Sequence, residues 1–361
     1  MQRTSLRIQT FEMPIWASDS CEQTHSMRSA IFRTPITELF GIRHPIVCGG
    51  LVWLADARYV AAVVNAGGMG FITASTYPDP VRFREELQLA KELTKGASFG
   101  VNFGISQRDS TVDKFDQHRK IVCEEGIRFI ETSGSSPAAI LPQLHEAGIK
   151  VMHKAPTVRY GETAAKLGVD AVCIIGAESA GHPGMAMVGT MVQAALAPQR
   201  IKVPLVVGGG IGTGAQLAAI ILMGGDAALL GSRMLVASEI PAHPTYKRRI
   251  VKGDGTDSKV VMHTFNHNHR VMENESSRAV AKLERELVDD FGQYEPHVLG
   301  TIVRDAYTSG DLSRGMIDYG QGVVFANEVM SVEAIFDQIL DEAVAAVATF
   351  KSRLVIRGNL S

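Results

Sequence analysis

Cysteine is scarce in this 361-residue chain, and no two of its four cysteines stand in a C-x-x-C pair. Cys21, Cys48, Cys123 and Cys173 therefore outline neither a zinc ribbon nor a disulfide framework, and the usage fits a reducing cytoplasmic setting. No apolar run reaches the roughly 18 residues that a membrane-spanning helix needs. An excess of charge is missing too: the formal net charge is −2, which gives no electrostatic case for nucleic acid or an anionic membrane surface. Aromatic residues make up only 6% of the chain. Residues 1–36 contain Arg3, Arg7, Glu12, Asp19 and Glu22 and have no continuous apolar stretch, so neither a secretory nor an organellar leader is expected there. That segment reads as a flexible N-terminal extension.

Glycine, by contrast, is abundant, with 35 residues, and it is not scattered. The segment Pro204-Leu205-Val206-Val207-Gly208-Gly209-Gly210-Ile211-Gly212-Thr213-Gly214 is followed by Ala227-Ala228-Leu229-Leu230-Gly231-Ser232. Each is a short apolar run broken off by glycine, as a buried parallel strand is when it meets a ligand. Two such neighbouring strand ends offer backbone N–H groups to an anion, the way a phosphate is held above the last two strands of a (β/α)8 barrel. A relaxed dinucleotide fingerprint, Gly210-x-Gly212-x-x-Ala215, is also satisfied, but a Rossmann unit needs an acidic residue at the end of its next strand. Here Asp226 precedes that strand, which ends in Gly231-Ser232.

From residue 45 the chain repeats one unit of apolar strand, turn and amphipathic helix. Strands are expected at 45–49, 69–74, 99–103, 129–132, 151–154, 171–175, 205–207 and 227–230. Helices are expected at 57–66, 80–93, 137–147, 158–167 and 214–223. Eight parallel units close a barrel, so the fold class is α/β, a (β/α)8 TIM barrel. The segments AGG, EEGI, EAGI, KLGV and MGGD read as helix C-caps that need glycine's left-handed conformation. After Ser232 the strand rhythm stops, and a long amphipathic helix returns at 332–350. The expected organisation is an extension over 1–36, a barrel built from 37–252 and 329–361, and a helical lid over 253–328.

Three further strand ends carry polar or permissive residues. Gly49 and Gly50 end the first strand and let a flat ring approach the backbone. Asn102 ends the third and can both donate and accept. Lys154 ends the fifth and brings a cation to the same mouth. After the sixth strand, Gly181-His182-Pro183-Gly184 puts a histidine where barrel enzymes place their chemistry, with an ordinary pKa suited to proton abstraction. His263, His267 and His269 form the one histidine cluster, but no neighbouring Cys or carboxylate completes a metal site, so no metal is expected.

Taken together, HPIVCGGL, NAGGMGFITA, FGVNF, GIRFIETSG, HKAPTVR, GAESAGHPG and GGGIGTG…LLGSR resemble the nitronate monooxygenase (2-nitropropane dioxygenase-like) flavoproteins. NADH:quinone reductases and FMN-dependent enoyl-ACP reductases are relatives of that family. The similarity runs over about 32–350. It implies FMN, with the phosphate on Gly209, Gly210, Gly231 and Ser232, and with Gly49, Gly50, Asn102, Lys154 and Gly181 around the ring. It also implies that His182 faces the flavin as the catalytic base. The expected activity is oxidation of alkyl nitronates, with nitroalkanes as a further candidate substrate, by O2 to carbonyl compounds and nitrite. The alternative is NAD(P)H-dependent reduction of quinones or enoyl thioesters, for which Tyr77-Pro78-Asp79-Pro80 could hold the nicotinamide nucleotide. The partners are then a small-molecule substrate and O2, with a homodimer possible.

The chain departs from those relatives at Cys48 (Gln in the quinone reductases), Leu51 (Met), Gly208 (commonly Ser) and the FANEV run at 325–329. Cys48 reads as a buried small apolar residue rather than a catalytic thiol. IMP dehydrogenase-like barrels share the phosphate cup but need a nucleophilic cysteine in the loop that here holds His182.

Overall fold

In a computed structural model, which describes residues 29–105 and 112–355, eight parallel strands close into a barrel in strict sequence order. They are β1 (Ile46–Cys48), β2 (Met69–Thr73), β3 (Gly100–Ile105), β4 (Phe129–Gly134), β5 (Lys150–Ala155), β6 (Ala171–Ile175), β7 (Leu205–Gly208) and β8 (Ala227–Leu230). Closure is made by β1 against β8, with Val47 opposite Leu229. All eight strands fall where the apolar runs place them, with no end shifted by more than two residues.

Eight helices precede or follow these strands: α1 (Pro35–Phe40), α2 (Ala57–Asn65), α3 (Pro80–Leu93), α4 (Val112–Glu124), α5 (Leu141–Glu146), α6 (Val158–Leu167), α7 (Thr190–Arg200) and α8 (Gly214–Leu222). The glycines expected as C-caps all take left-handed backbone, with φ of +95° at Gly67, +66° at Gly126, +72° at Gly148, +96° at Gly168 and +97° at Gly224. An L side chain there would be strained, which is why the chain turns into each strand at glycine.

Strand alternation splits the core in two. Val47, Met69, Phe71, Phe129, Met152, Cys173, Val206 and Leu229 fill the barrel interior. Their alternates, such as Ile46, Cys48, Ile72, Val101 and Ile130, pack outward beneath the helices. Helix α1 belongs to the interior set: Ile36 and Phe40 plug the N-terminal end, and Phe40 meets Phe71 and Phe129 edge-on at 6.1 and 5.2 Å between ring centroids. The core thus already includes Ile36, while residues 1–28 of the expected extension lie outside the described residues.

The segment after β8 is not purely helical, contrary to the sequence pattern. Helix α9 (Pro244–Val251) leads into an antiparallel hairpin of β9 (Ser258–Val261) and β10 (His269–Met272). Then come α10 (Glu275–Arg285), α11 (Phe291–Val298) and α12 (Gly300–Ser309). The hairpin strands have four residues each and are rich in His, Lys and Arg, which is too short and polar for alternation to reveal. Finally α13 (Val332–Arg353) packs between α8 and α2 and completes the outer ring. Among the described residues, no helix is long and apolar enough to cross a membrane.

Candidate functional site

The C-terminal ends of the strands form one mouth with three clusters of polar groups. The first surrounds the ends of β7 and β8. Gly209 and Gly210 are consecutive residues with left-handed φ (+108° and +69°). A Cβ on Gly209 would stand 2.5 Å from Thr190 Oγ1, so only glycine fits. Opposite, the direction of a Cβ on Gly231 is open, with no atom within 4 Å. Ser232 starts a short 3-10 turn, and its Oγ accepts a hydrogen bond from Gly320 N at 3.0 Å. The stretch Gly320-Gln321-Gly322 lies along this cup, with Gln321 N donating to Glu178 O at 2.9 Å. Nothing in the sequence pattern had marked that stretch.

Other glycines of the run serve packing instead. Gly212 lies under the Phe325 ring, and a Cβ on Gly214 would overlap the backbone of α13 at Ile339. The N-terminus of α8 is closed by protein groups: Thr213 and Gln216 form a capping box, and Gly214 N donates to Glu342 Oε2 at 2.8 Å. The open backbone at this end of the mouth is therefore at 209–210 and 231–232, not at the helix end.

The second cluster is centred on a residue that sequence reasoning passed over. Glu131 lies on β4, opposite Asn102 on β3, and is 0% exposed. Its Oε2 accepts from Asn102 Nδ2 at 2.6 Å and from Gly50 N at 3.1 Å, and Lys154 Nζ stands 3.2 Å away. Gly50 must be glycine, since a Cβ would stand 2.5 Å from that of Asn102. The expected residues Gly49, Gly50, Asn102 and Lys154 thus meet around this carboxylate. A charged residue inside the apolar run FIETSG was the available signal.

Cys48 takes no part. It points outward, 0% exposed, against Tyr59 of α2, and burial pushes its thiol up to about 12. Likewise Asp79 caps α3, accepting from Val81 N at 2.9 Å.

The third cluster carries His182. Its Nδ1 lies 3.1 Å from Asn268 O. A carbonyl can only accept, so Nδ1 holds the proton and Nε2 keeps the lone pair. Gly181 (φ +71°) exchanges two backbone hydrogen bonds with Arg270 of β10, at 3.1 and 2.7 Å, and Asn268 Nδ2 donates to Gly184 O at 3.1 Å. The hairpin thereby clasps the histidine loop. It also stacks His267 and His269 against His182, with ring centroids 4.1 and 4.4 Å apart. The expected His263-His267-His269 cluster is thus reorganised: His263 instead bonds Val260 O at 3.2 Å, and His182 replaces it. Among the described residues, no group of three His, Cys, Asp or Glu is arranged to hold a metal.

His269 Nε2 lies 2.7 Å from Asp318 Oδ1. Asp318 keeps 48% of its side chain open at the mouth. His182 likewise keeps an open side. Burial, followed by the charges of His269 and His267, lowers His182 to about 3, so its imidazole is neutral at ordinary pH. Burial alone would raise Asp318, but the His269 hydrogen bond and charge outweigh it and hold the carboxyl below its usual range. Lys154 also acts on Asp318 through its charge, which ties the second cluster to the third.

The family model described as nitronate monooxygenase matches residues 33–342. A Mycobacterium tuberculosis (strain ATCC 25618 / H37Rv) protein named (3aS,4S,5R,7aS)-5-hydroxy-7a-methyl-1-oxo-octahydro-1H-indene-4-carboxyl-CoA dehydrogenase is 30% identical over 253 residues, 70% of this chain and 68% of that one. A probable nitronate monooxygenase of Staphylococcus aureus (strain JH9) is 26% identical over 316 residues, 76% of this chain and 84% of its own length. Among solved structures, FabK from Thermotoga maritima superposes with a TM-score of 0.81 at 29% identity, covering 90% of this chain and 100% of that one. Nitroalkane oxidase from Streptomyces ansochromogenes superposes with a TM-score of 0.74 over 88% of this chain and 100% of its own, and its 22% identity speaks for the fold alone.

Proposed function

The chain belongs to the nitronate monooxygenase family, and from that premise we propose that it is an FMN-dependent nitronate monooxygenase. The coarser statement, a flavin-dependent oxidoreductase acting on a small molecule, follows from the family itself. The finer one rests above all on His182, a neutral imidazole whose proton is fixed on Nδ1 and whose lone pair on Nε2 is left to a substrate.

The residues present fit a phosphorylated flavin. The open side of Gly231 and the left-handed pair Gly209-Gly210 suit a phosphate, which bears on FMN in particular. Gly49 and Gly50 leave room for a ring plane, with Asn102 and Lys154 at its edge. A flavin held there would supply the transfer of electrons from substrate to O2 that yields a carbonyl compound and nitrite.

The chain's own part is binding and proton handling. His182 Nε2 removes the α-proton of a neutral nitroalkane, while Asn268 O holds the Nδ1 proton and fixes the ring. A substrate supplied as the nitronate has already lost that proton and does not need the step. The hairpin holds the His182 loop through Asn268 and Gly184, and Gly320 holds Ser232 at the other side of the mouth.

A second reading, NAD(P)H-dependent reduction of a quinone or an enoyl thioester, is favoured by the 30% identical relative whose name specifies a CoA thioester. One experiment separates the two. Under anaerobic conditions, an alkyl nitronate should bleach the visible flavin band, and admitting O2 should restore it with release of nitrite. If nitronate leaves the band unchanged while NADH or NADPH bleaches it rapidly and saturably, the second reading replaces the first.

A further inference from the structure

Glu131 has no part in the proton transfer just described, yet it is the most enclosed ionisable side chain of the mouth. A carboxylate inside a barrel costs several kcal/mol unless it is paired and hydrogen-bonded. Here the pairing is lopsided. Gly50 N, Asn102 Nδ2 and Lys154 Nζ all converge on Oε2, at 3.1, 2.6 and 3.2 Å. Oε1 is buried with no hydrogen-bond partner, and it faces Gly49, where a Cβ would stand 3.0 Å away.

This arrangement changes what the mouth offers a ligand. Asn102 commits one of its two amide N–H groups to Glu131, which fixes the orientation of the amide and leaves Oδ1 and the second N–H to offer. Lys154 has 19% of its side chain open, and it remains a donor, but its charge is balanced by a carboxylate 3.2 Å away. An unpaired lysine would instead present a full positive charge in a poorly solvated site.

We propose that Glu131 is a positioning residue for the flavin ring: it fixes the Asn102 amide in one orientation and neutralises Lys154, so that the ring meets polar groups of no net charge. The inference rests on the flavin reading above.

Glu131→Gln is the direct test. Glutamine can keep an oxygen at the Oε2 position and accept from the same three donors, while removing the negative charge. Lys154 is then uncompensated, and a net positive charge beside the ring favours its electron-rich reduced form. The midpoint potential of bound FMN should therefore rise, and Glu131→Gln combined with Lys154→Met should bring it back to the wild-type value. Lys154→Met alone leaves the carboxylate uncompensated and should lower the potential. It also keeps the test decisive should Glu131→Gln fail to fold. A purely structural Glu131 would lower the thermal midpoint and leave the potential of retained flavin unchanged, and that outcome overturns the proposal. Uptake of FMN by the wild-type protein is read first; failure at that step removes the flavin reading itself and is recognised before any variant is made.

Discussion

The main-chain oxygen of Asn268 fixes the proton of His182. Their 3.1 Å contact joins a loop after β6 to a hairpin 86 residues further along, and it settles which ring nitrogen can act as a base. Removing that base should separate two substrates. His182→Ala should lower turnover of a neutral nitroalkane by about 10²–10⁴-fold, the usual contribution of a general base. Turnover of the preformed nitronate should fall much less, and FMN should stay bound. Oxygen uptake with both substrates, together with the flavin absorbance, checks all three.

The pH profile follows from the same pocket. The groups facing His182 are His267, His269, Asp318 and the carbonyl of Asn268. Because burial and the two histidines lower His182 to about 3, wild-type kcat/KM for a nitroalkane should show no acid limb near the ordinary histidine value. His269→Gln removes the strongest of the charges that lower it and keeps Asp318, which raises it. The acid limb should then appear at higher pH. A profile that does not move with this substitution contradicts the assigned origin of the shift.

His153 makes an acid-stability prediction of its own. It is buried beside Thr132 Oγ1 at 2.8 Å, and burial, then the Lys154 charge, lowers it to about 4. The unfolded chain therefore binds this proton more readily than the folded one, so stability is lost as pH falls from about 6.5 to about 4, at up to about 1.4 kcal/mol per pH unit. Thermal midpoints measured across that window should drop less steeply in His153→Gln.

The two halves of the cup should respond differently to substitution. Gly231 has open space on its Cβ side, so Gly231→Asp should fold normally and lose FMN affinity at least tenfold, because a carboxylate repels the phosphate. Gly209→Ala should lower the thermal midpoint instead, since φ is +108° and the new Cβ would press on Thr190 and Gly176. Flavin titration and thermal melts of both variants distinguish the roles.

Gly214 predicts a packing defect far from the chemistry. A Cβ there would overlap Ile339 O and crowd Ala343 N, forcing α8 away from α13. Gly214→Ala should cost about 1–3 kcal/mol, the usual range for overpacking. Denaturant unfolding measures the cost, and FMN affinity per folded molecule should be unchanged.

Much of this was legible in the sequence because it is local. Each strand is an apolar run of three to six residues that leads into glycine or a polar residue, and the αL glycines at 67, 126, 148, 168 and 224 announce the strands that follow them. The strand-end positions of Gly49, Gly50, Asn102, Lys154 and His182 could be read in the same way, since a barrel brings all its strand ends to one face. Glu131 was visible as a lone charge in β4, but its role depends on partners 29 residues before it and 23 after, which no local pattern links. The hairpin and the Gly320–Gly322 stretch left even less trace.

The sequence by itself thus determined the barrel, its cap glycines and the ring of residues around its mouth, because strand periodicity and turn chemistry are short-range. Only the tertiary structure decided which glycines of the 208–214 run form the cup and which let α13 approach. Only it paired Lys154 with the buried Glu131 and held His182 neutral beside two histidines of a distant hairpin. Those properties belong to neither residue alone; they arise from charges and volumes that meet when the chain closes.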